Sequence, residues 1–407
     1  MLTYEQALTR ILSTVPSPRV APFTLDQALG LVLAKPVTSG CDLPRFDQSA
    51  VDGYAVHLGD RVGEADGMTW RLIGRSEAGR PFPGVAREGE AVRILTGAQV
   101  PEGANAVVMQ EDVAPRVGMD SLEAMVITSQ PRLGQHIRRQ GEDLREGAVA
   151  LAAGTRLRPQ ELALLASLGY RRVPVYQPPT VTILSTGDEL RSPGSRLKPG
   201  QLYDSNTILL QGLLQRLGVS IIRAWRVKDA LQALVLAIHR SLAGDLLLIS
   251  GGVSVGDKDF VREAAARCGI RPILWQVDIK PGMPLFVGRR RRTLVFGLPG
   301  NPVSVLVNFE EFVKPAIFRL MGRSWQDGYV TPATLTKDLA VSQRRRTHFI
   351  RVRCLAEDGG IRAEPLNGQG SHQLASLTHA EGWLRMDSAD GPWRAGTRVR
   401  VKQEAAA

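Results

Sequence analysis

Three short stretches join glycine, proline, hydroxyl and carboxylate residues in combinations that suit phosphate chemistry. They are Thr186-Gly187-Asp188-Glu189, the run from Ser250 through Gly251, Gly252, Val253, Ser254, Val255, Gly256, Asp257 and Lys258 to Asp259, and Leu298-Pro299-Gly300-Asn301-Pro302. Gly251, Gly252 and Gly256 let backbone approach a ligand and leave amides free, and the run opens into a predicted helix whose first N–H groups favour anions. Pro302 suits the first turn of another helix, where amides and Ser304 can meet an oxyanion. None of the three is a Walker A or GxGxxG sequence, and a plain tight turn accounts for any one taken singly. Together they imply a phosphate cradle.

Carboxylates crowd the same stretches: Asp188, Glu189, Asp204, Asp229, Asp257 and Asp259. Magnesium takes one or two carboxylates and otherwise water and substrate phosphates, which such a pocket offers. Helix capping or an exposed turn is the simpler reading of Asp188, Asp204 and Asp257, leaving Glu189 and Asp259 as metal candidates. Lys280, Arg351 and Ser371 add two cations and a hydroxyl, donors that an oxyanion needs. His57, His136, His239, His348, His372 and His379 are scattered, with no HExxH, zinc pattern or Ser/His/Asp order, which leaves histidine catalysis unsupported.

The elements that must position these residues read as α/β in several domains. Helix patterns over 3–12 and 24–33 precede a Gly- and Pro-rich stretch, 36–150, with β-like runs at 91–95, 106–109 and 125–128. A helix at 159–168 and a strand at 171–176 lead to a Pro-rich linker, Gln177-Pro178-Pro179. Then strands at 181–185, 220–227 and 245–249 alternate with helices at 207–217, 230–241 and 259–267. Apolar runs such as Leu246-Leu247-Leu248-Ile249 suit parallel strands buried on both faces, so a central doubly wound, mostly parallel sheet is the expectation. The three loops follow its strands at their carboxyl ends, where open α/β sheets bind ligands. Strands at 285–287 and 293–296 flank an arginine hairpin tip at 288–292, a helix spans 302–320, and 330–402 returns to short strands. The expected divisions are 1–176, containing a β-rich insertion at about 44–140, then 177–327 and 328–407.

Composition narrows the class. The 407 residues are 43% hydrophobic and 22% charged, which excludes wholesale disorder and low-complexity architectures. No apolar run reaches membrane-helix length, and Glu5 stands where a signal peptide would turn apolar, so the expectation is a cytoplasmic protein without membrane partners. Cys41, Cys268 and Cys354 are too few and too scattered for disulfides or a metal cluster. The net charge of +11 is uneven, about −1 over 1–176, about +8 over 177–327 and about +4 over 328–407. The basic runs Arg289 to Arg292 and Arg344 to Arg346 lack interleaved aromatics, so small anions are expected as ligands and nucleic acid is not. Solvated surface charge explains much of the excess equally well.

Nine segments, in order along the chain, resemble the MoeA family of molybdopterin molybdenumtransferases, which includes the gephyrin E domain. They are Asp47 to Ala55, Leu95 to Ala98, Gly141 to Asp143, Ser185 to Leu190, Tyr203 to Asn206, Ser250 to Gly256, Lys280 to Gly282, Leu298 to Ser304 and Gln369 to His372. The resemblance implies a central domain like that of MogA, and magnesium-dependent insertion of molybdate into adenylylated molybdopterin with release of AMP. By that likeness Gly251, Gly252, Ser254, Pro299, Gly300, Asn301, Pro302 and Ser304 hold the pterin and nucleotide phosphates. Glu189 and Asp259 serve the metal and the hydrolytic step with Asp229, and Lys280, Arg351 and Ser371 hold molybdate. Asp52, Thr96 and Asp143 match functional positions that reach a partner subunit's site in a homodimer. Protein partners implied are an adenylyltransferase and downstream molybdoenzymes.

The sequence departs from the family pattern at Gln48, Val51, Gln276 and Met283. The last two stand where relatives often carry lysine, which thins the positive charge expected near Lys280, and Asp278 adds a negative one. A tungstate-inserting homologue keeps the same chemistry. An adenylyltransferase resembles only the central region and lacks the Asp52 motif, and a pterin-binding scaffold does not require Glu189, Asp259, Lys280 and Ser371.

Overall fold

The computed structural model describes residues 1–59, 69–117, 123–253, 260–339, 346–357, 360–387 and 393–403. Two compact units emerge, Lys35–Arg172 and Met1–Ala34 together with Val173–Ala407.

In the Lys35–Arg172 unit six strands pair in the order Ala106–Met109, Gly53–Val56, Glu90–Ile94, Thr69–Ser76, Glu123–Ile127, Val113–Val117. Val56, Trp70, Ala91, Ala106, Val108 and Ile127 pack on one face. Ala55, Ile94, Ala98 and Val107 form a second cluster, so the centre is buried on both sides and Ala106–Met109 reads as an unbroken apolar run. The helix Pro159–Ser167 begins with proline in its first turn, and Glu161 accepts from the Arg158 amide at 2.8 Å.

The other unit opens with α1 (Tyr4–Thr14), where Thr3 and Gln6 form a capping box and Tyr4, Ala7 and Ile11 are buried. The helix predicted over 24–33 does not form. Thr24 ends a strand, Val20–Thr24, that pairs with Arg172–Tyr176. Turn bonds link Gln27 to Thr24 and Ala28 to Leu25, and Gly30 takes φ 76°. Leu31, Val32 and Leu33 are buried as the spacing implies, but in an extended segment that bonds to Tyr176. Gly30 in the left-handed region interrupts the helical course, and bonds to Pro174 and Tyr176 satisfy the following backbone as an extended segment.

The central elements are β1 (Thr180–Thr186), α2 (Ser205–Arg216), β2 (Ser220–Val227), α3 (Leu231–Ser241), β3 (Leu246–Ser250), α4 (Phe260–Arg267), β4 (Arg271–Trp275), β5 (Ile279–Lys280), β6 (Phe286–Arg290), β7 (Thr293–Leu298), α5 (Pro302–Asn308) and α6 (Lys314–Leu320). Their sheet is mixed, in the order β2-β1-β3-β7-β6-β4. β1 runs parallel to β2 and β3, and β3 parallel to β7. β6 and β4 add antiparallel edges. Leu184, Leu247, Ile249 and Val295 share a core cluster with residues of α3 and α4, such as Ile238 and Val261. The hairpin tip is shorter than 288–292, because Arg289 pairs with Leu294 and Arg290 with Thr293. Arg289 and Arg292 donate to the carbonyls of Thr14 and Ser17 at 2.7 and 2.6 Å. Two arginines of that run therefore secure the chain just after α1.

The helix predicted over 302–320 is present with a π-turn, Phe309–Val313, between α5 and α6. That turn carries Glu311, which accepts from the Tyr4 hydroxyl at 2.8 Å, the Tyr329 hydroxyl at 3.2 Å and the Lys402 ammonium at 3.0 Å. The C-terminal strands are β8 (Thr331–Leu335), β9 (Thr347–Glu357), β10 (Gly360–Pro365), β11 (Gly382–Met386) and β12 (Arg398–Gln403). They pair in the order β9-β10-β8-β12-β11, and β9 also pairs with β11, closing a five-stranded barrel around Leu335, Val352, Leu384, Met386 and Val401. β5 joins this barrel, not the central sheet: Ile279 pairs with Thr347 and Lys280 with His348. No helix among the described residues is long and apolar enough to cross a membrane, and the three cysteines are free thiols.

Candidate functional site

Parallel register sets the site. Ser185 of β1 lies opposite Ser250 of β3, and Ser250 opposite Leu298 of β7, so the loops after all three strands leave the sheet in one row. A cavity of about 880 Å³ opens there, within the ~300–1,000 Å³ typical of small-molecule sites. Its wall includes Thr186, Glu189 and Asp229, the backbone of Gly251 and Gly252, and Pro299, Gly300 and Asn301. Lys280, Ser304, Arg346 and Ser371 line the same cavity.

The loops are tied to one another. Asn206, two residues past the α2 cap, donates through Nδ2 to the Ser250 hydroxyl at 3.0 Å and to the Gly300 carbonyl at 2.8 Å. Its buried Oδ1 has no partner among the described residues. Asp204 is the N-cap of α2, accepting from the Thr207 amide at 3.0 Å and the Ser185 hydroxyl at 2.6 Å. It thus does the capping work that its position before a helix suggests. Thr186 donates to Asp229 at 3.2 Å, and the Asp229 amide donates to Asp188 at 3.2 Å. The Gly251 amide is not free: it donates to the Leu298 carbonyl at 3.0 Å. Its glycine is needed for the approach to β1, since at φ 94° a Cβ would sit 2.4 Å from the Thr186 carbonyl oxygen.

Ser371 meets the start of α5. Its hydroxyl accepts from Asn301 Nδ2 at 3.0 Å and its carbonyl from the Val303 amide at 3.2 Å, so that helix amide is occupied. Pro302 opens α5 without lining the cavity. Arg351 does not line it either. The residue is 1% exposed, one nitrogen donates to the carbonyls of Gly368 and Gly370 at 2.6 and 3.2 Å, and Nε has no partner among the described residues. Burial pulls its guanidinium down to about 10. Arg351 braces the turn that presents Ser371 from beneath.

Among the described residues, the guanidinium that lines the cavity is that of Arg346, held to Asp278 at 3.2 Å. Sequence spacing did not single out Arg346, which lies in a run that reads as solvated charge. Only the pairing of β5 with β9 brings it near Lys280. Met283 also lines the cavity, whereas Gln276 does not. Ser254, Gly256, Asp257 and Asp259 lie outside the described residues, and among the described residues no group of three or more His, Cys, Asp or Glu could hold a metal by itself.

Asp52, Thr96 and Asp143 belong to the Lys35–Arg172 unit. Asp52 accepts from the Thr96 amide and hydroxyl, both at 2.7 Å. Those bonds, the amide first, hold its carboxyl below the usual carboxylate range. Asp143 is exposed, its amide bonded to the Leu43 carbonyl at 3.0 Å.

Three family descriptions match the chain in order: the MoeA N-terminal region (domain I and II) over residues 2–169, a probable molybdopterin binding domain over 182–319, and the MoeA C-terminal region (domain IV) over 332–403. The molybdopterin molybdenumtransferase of Haemophilus influenzae is 35% identical over 405 residues, 99% of this chain and 98% of that protein. Molybdopterin molybdenumtransferase 2 of Mycobacterium tuberculosis is 36% identical, covering 93% of each. A crystal structure of the molybdopterin biosynthesis moea protein from Pyrococcus horikosii superposes with TM-score 0.82 at 31% identity, covering 99% of both chains.

Proposed function

The chain belongs to the MoeA family of molybdopterin molybdenumtransferases, transferases of molybdenum cofactor biosynthesis, and from that premise we propose that it inserts molybdate into adenylylated molybdopterin and releases AMP. One observation carries the reading: a single cavity presents two carboxylates, Glu189 and Asp229, together with two cations, Lys280 and Arg346, and the hydroxyls of Ser304 and Ser371. A substrate joining phosphates to an incoming oxyanion needs both kinds of group within reach.

Gly252, Pro299, Gly300, Asn301 and Ser304 hold the pterin and nucleotide phosphates in this reading, with Ser254 and Pro302 by family likeness. Asn206 keeps the two loops in register. Glu189 and Asp229 fit magnesium, which accepts one or two carboxylates and completes its shell with water and phosphate oxygens, and the family motif adds Asp259. When bound, magnesium supplies neutralisation of phosphate charge. Lys280 and Arg346 attract the oxyanion and Ser371 orients it, while Arg351 supports Ser371. The central layer acts as the doubly wound, MogA-like module in this reading, with divisions at 1–176, 177–327 and 328–407. We read the enzyme as a cytoplasmic homodimer in which Asp52, Thr96 and Asp143 serve the partner subunit's site. The adenylyltransferase precedes it and molybdoenzymes follow.

The test is AMP release from adenylylated molybdopterin with magnesium and either molybdate or tungstate. Release that depends on oxyanion is the expected result, and the oxyanion that half-saturates at lower concentration is the natural one. No release with either, or ATP-dependent adenylylation of molybdopterin in its place, would overturn the reading.

Arg346 and Arg351 should separate in the same assay. Arg346→Ala removes a charge-assisted hydrogen bond worth about 1.5–3 kcal/mol and is expected to raise half-saturating molybdate by about tenfold or more, with adenylylated molybdopterin unaffected. Arg351→Ala leaves the Gly368 and Gly370 carbonyls without their donor and is expected to lower the melting temperature and weaken both substrates. The reverse pattern would return Arg351 to the oxyanion.

A further inference from the structure

Lys280 is exposed on the cavity wall, and a lysine at the end of four flexible carbons is aimed chiefly by its backbone. On one flank that backbone is held by pairing with β9. On the other, the chain turns through Gly282, whose carbonyl accepts from Asn308 Nδ2 at 3.1 Å. Asn308 ends α5, whose N-cap Asn301 and first-turn Ser304 line the cavity. One helix therefore meets the phosphate loop at its start and the lysine turn at its end.

Asn308 is a costly residue for the place it occupies. It is 0% exposed, among Val305, Leu306, Val307 and Phe309, which are also buried. Its Oδ1 has no hydrogen-bond partner among the described residues. A buried acceptor left unpaired is unfavourable, and an apolar side chain of similar size would avoid that cost. What the amide does supply is the bond to Gly282. The fit is close: at φ 107° a Cβ on Gly282 would lie 3.0 Å from Asn308 Nδ2 and 3.2 Å from Ile279 Cδ1.

We propose that Asn308 is a positioning residue for Lys280, fixing the Gly282 turn so that the ammonium meets the incoming oxyanion at a set distance from the phosphate loops. The proposal rests on the functional reading above and adds to it a residue remote from the substrate. Asn308 touches neither ligand, so its loss should act on oxyanion affinity through the turn.

The experiment uses the full chain carrying Asn308→Leu, which keeps similar volume and removes the amide. Two readouts are taken. Amide hydrogen exchange over residues 279–284 is expected to accelerate, with exchange at 299–304 unchanged. In the AMP-release assay, half-saturating molybdate is expected to rise about tenfold, the scale of one misplaced charge-assisted bond, while that of adenylylated molybdopterin stays within about twofold. If Asn308→Leu does not fold, Gly282→Ala strains the same contact from the other side and should give the same pattern. Unchanged exchange at 279–284, or an equal rise in both constants, overturns the proposal. If the unmodified protein releases no AMP, the functional reading fails on its own, and the exchange result alone decides whether Asn308 holds the turn.

Discussion

Glu189→Gln is expected to reduce AMP release by at least about a hundredfold while leaving the melting temperature within a few degrees. The substitution keeps shape and removes one of the two carboxylates that line the cavity among the described residues, where the proposed function places phosphates. Loss of a metal ligand or charge stabiliser is worth several kcal/mol at the transition state, and about 2.7 kcal/mol is a hundredfold. Near-normal release at saturating magnesium would remove Glu189 from the chemistry. The same variant probes the proposed homodimer. Co-expressed with an Asp52→Ala chain and purified through two different tags, it should regain activity, because each mixed dimer then holds one intact composite site. Mixed dimers no more active than either parent would show that Asp52 and Glu189 serve one site within a single chain.

Glu311→Ala is expected to destabilise the unit that contains it by about 3–5 kcal/mol, the usual cost of stripping one partner from a buried ionic network. Its side chain is 3% exposed, and the loss leaves the Tyr4 and Tyr329 hydroxyls without their acceptor and Lys402 without its nearest carboxylate. The expected fall in melting temperature is roughly 10 °C, whereas Glu311→Gln retains an acceptor and should lose less. A shift under about 2 °C for Glu311→Ala would show that the network contributes little. Burial and the Glu311 charge push both tyrosines up. Burial opposes the charge on Glu310, but the Lys402 and Lys314 ammoniums outweigh it and hold that carboxyl below its ordinary value. Burial likewise opposes the charge on Lys402, which Glu311 and Glu310 reverse to a net rise. Glu310 thus stabilises above the ordinary carboxylate pKa and loses this as pH falls through its lowered value. Lys402 stabilises below the ordinary lysine pKa and loses this as pH climbs through its raised one. Stability from this pair should be flat across neutral pH and decline only toward either extreme.

What could be read from the chain follows the range of the forces involved. Leu246 to Ile249 announces itself because a strand covered on both faces must be apolar throughout, and β2 matches its expected span residue for residue. The segment 24–33 carries the right apolar spacing for a different reason: Leu31 to Leu33 are core residues of an extended stretch. Register puts Ser185, Ser250 and Leu298 in one row, and the glycine and carboxylate motifs beside them are local enough to see. Arg346 and Asn308 are different. Each matters through a contact between segments distant in sequence, with Asp278 and Gly282 respectively, and neither has a flanking pattern that names its partner. Arg351 shows the converse, since a cation in the right strand turns inward to serve backbone carbonyls.

The departure of β5 from its neighbours has a consequence for ancestry. The lysine is encoded within the central stretch, yet its strand is completed by β9 of the barrel. A duplicated central stretch ending before the barrel would inherit the glycine run and the pocket floor and forfeit the edge that Ile279 and Lys280 need. On the proposed function, such a descendant keeps the phosphate cradle and loses the lysine assigned to the oxyanion. Lys280 therefore depends on two modules at once, its place in the sequence belonging to one and its strand pairing to the other.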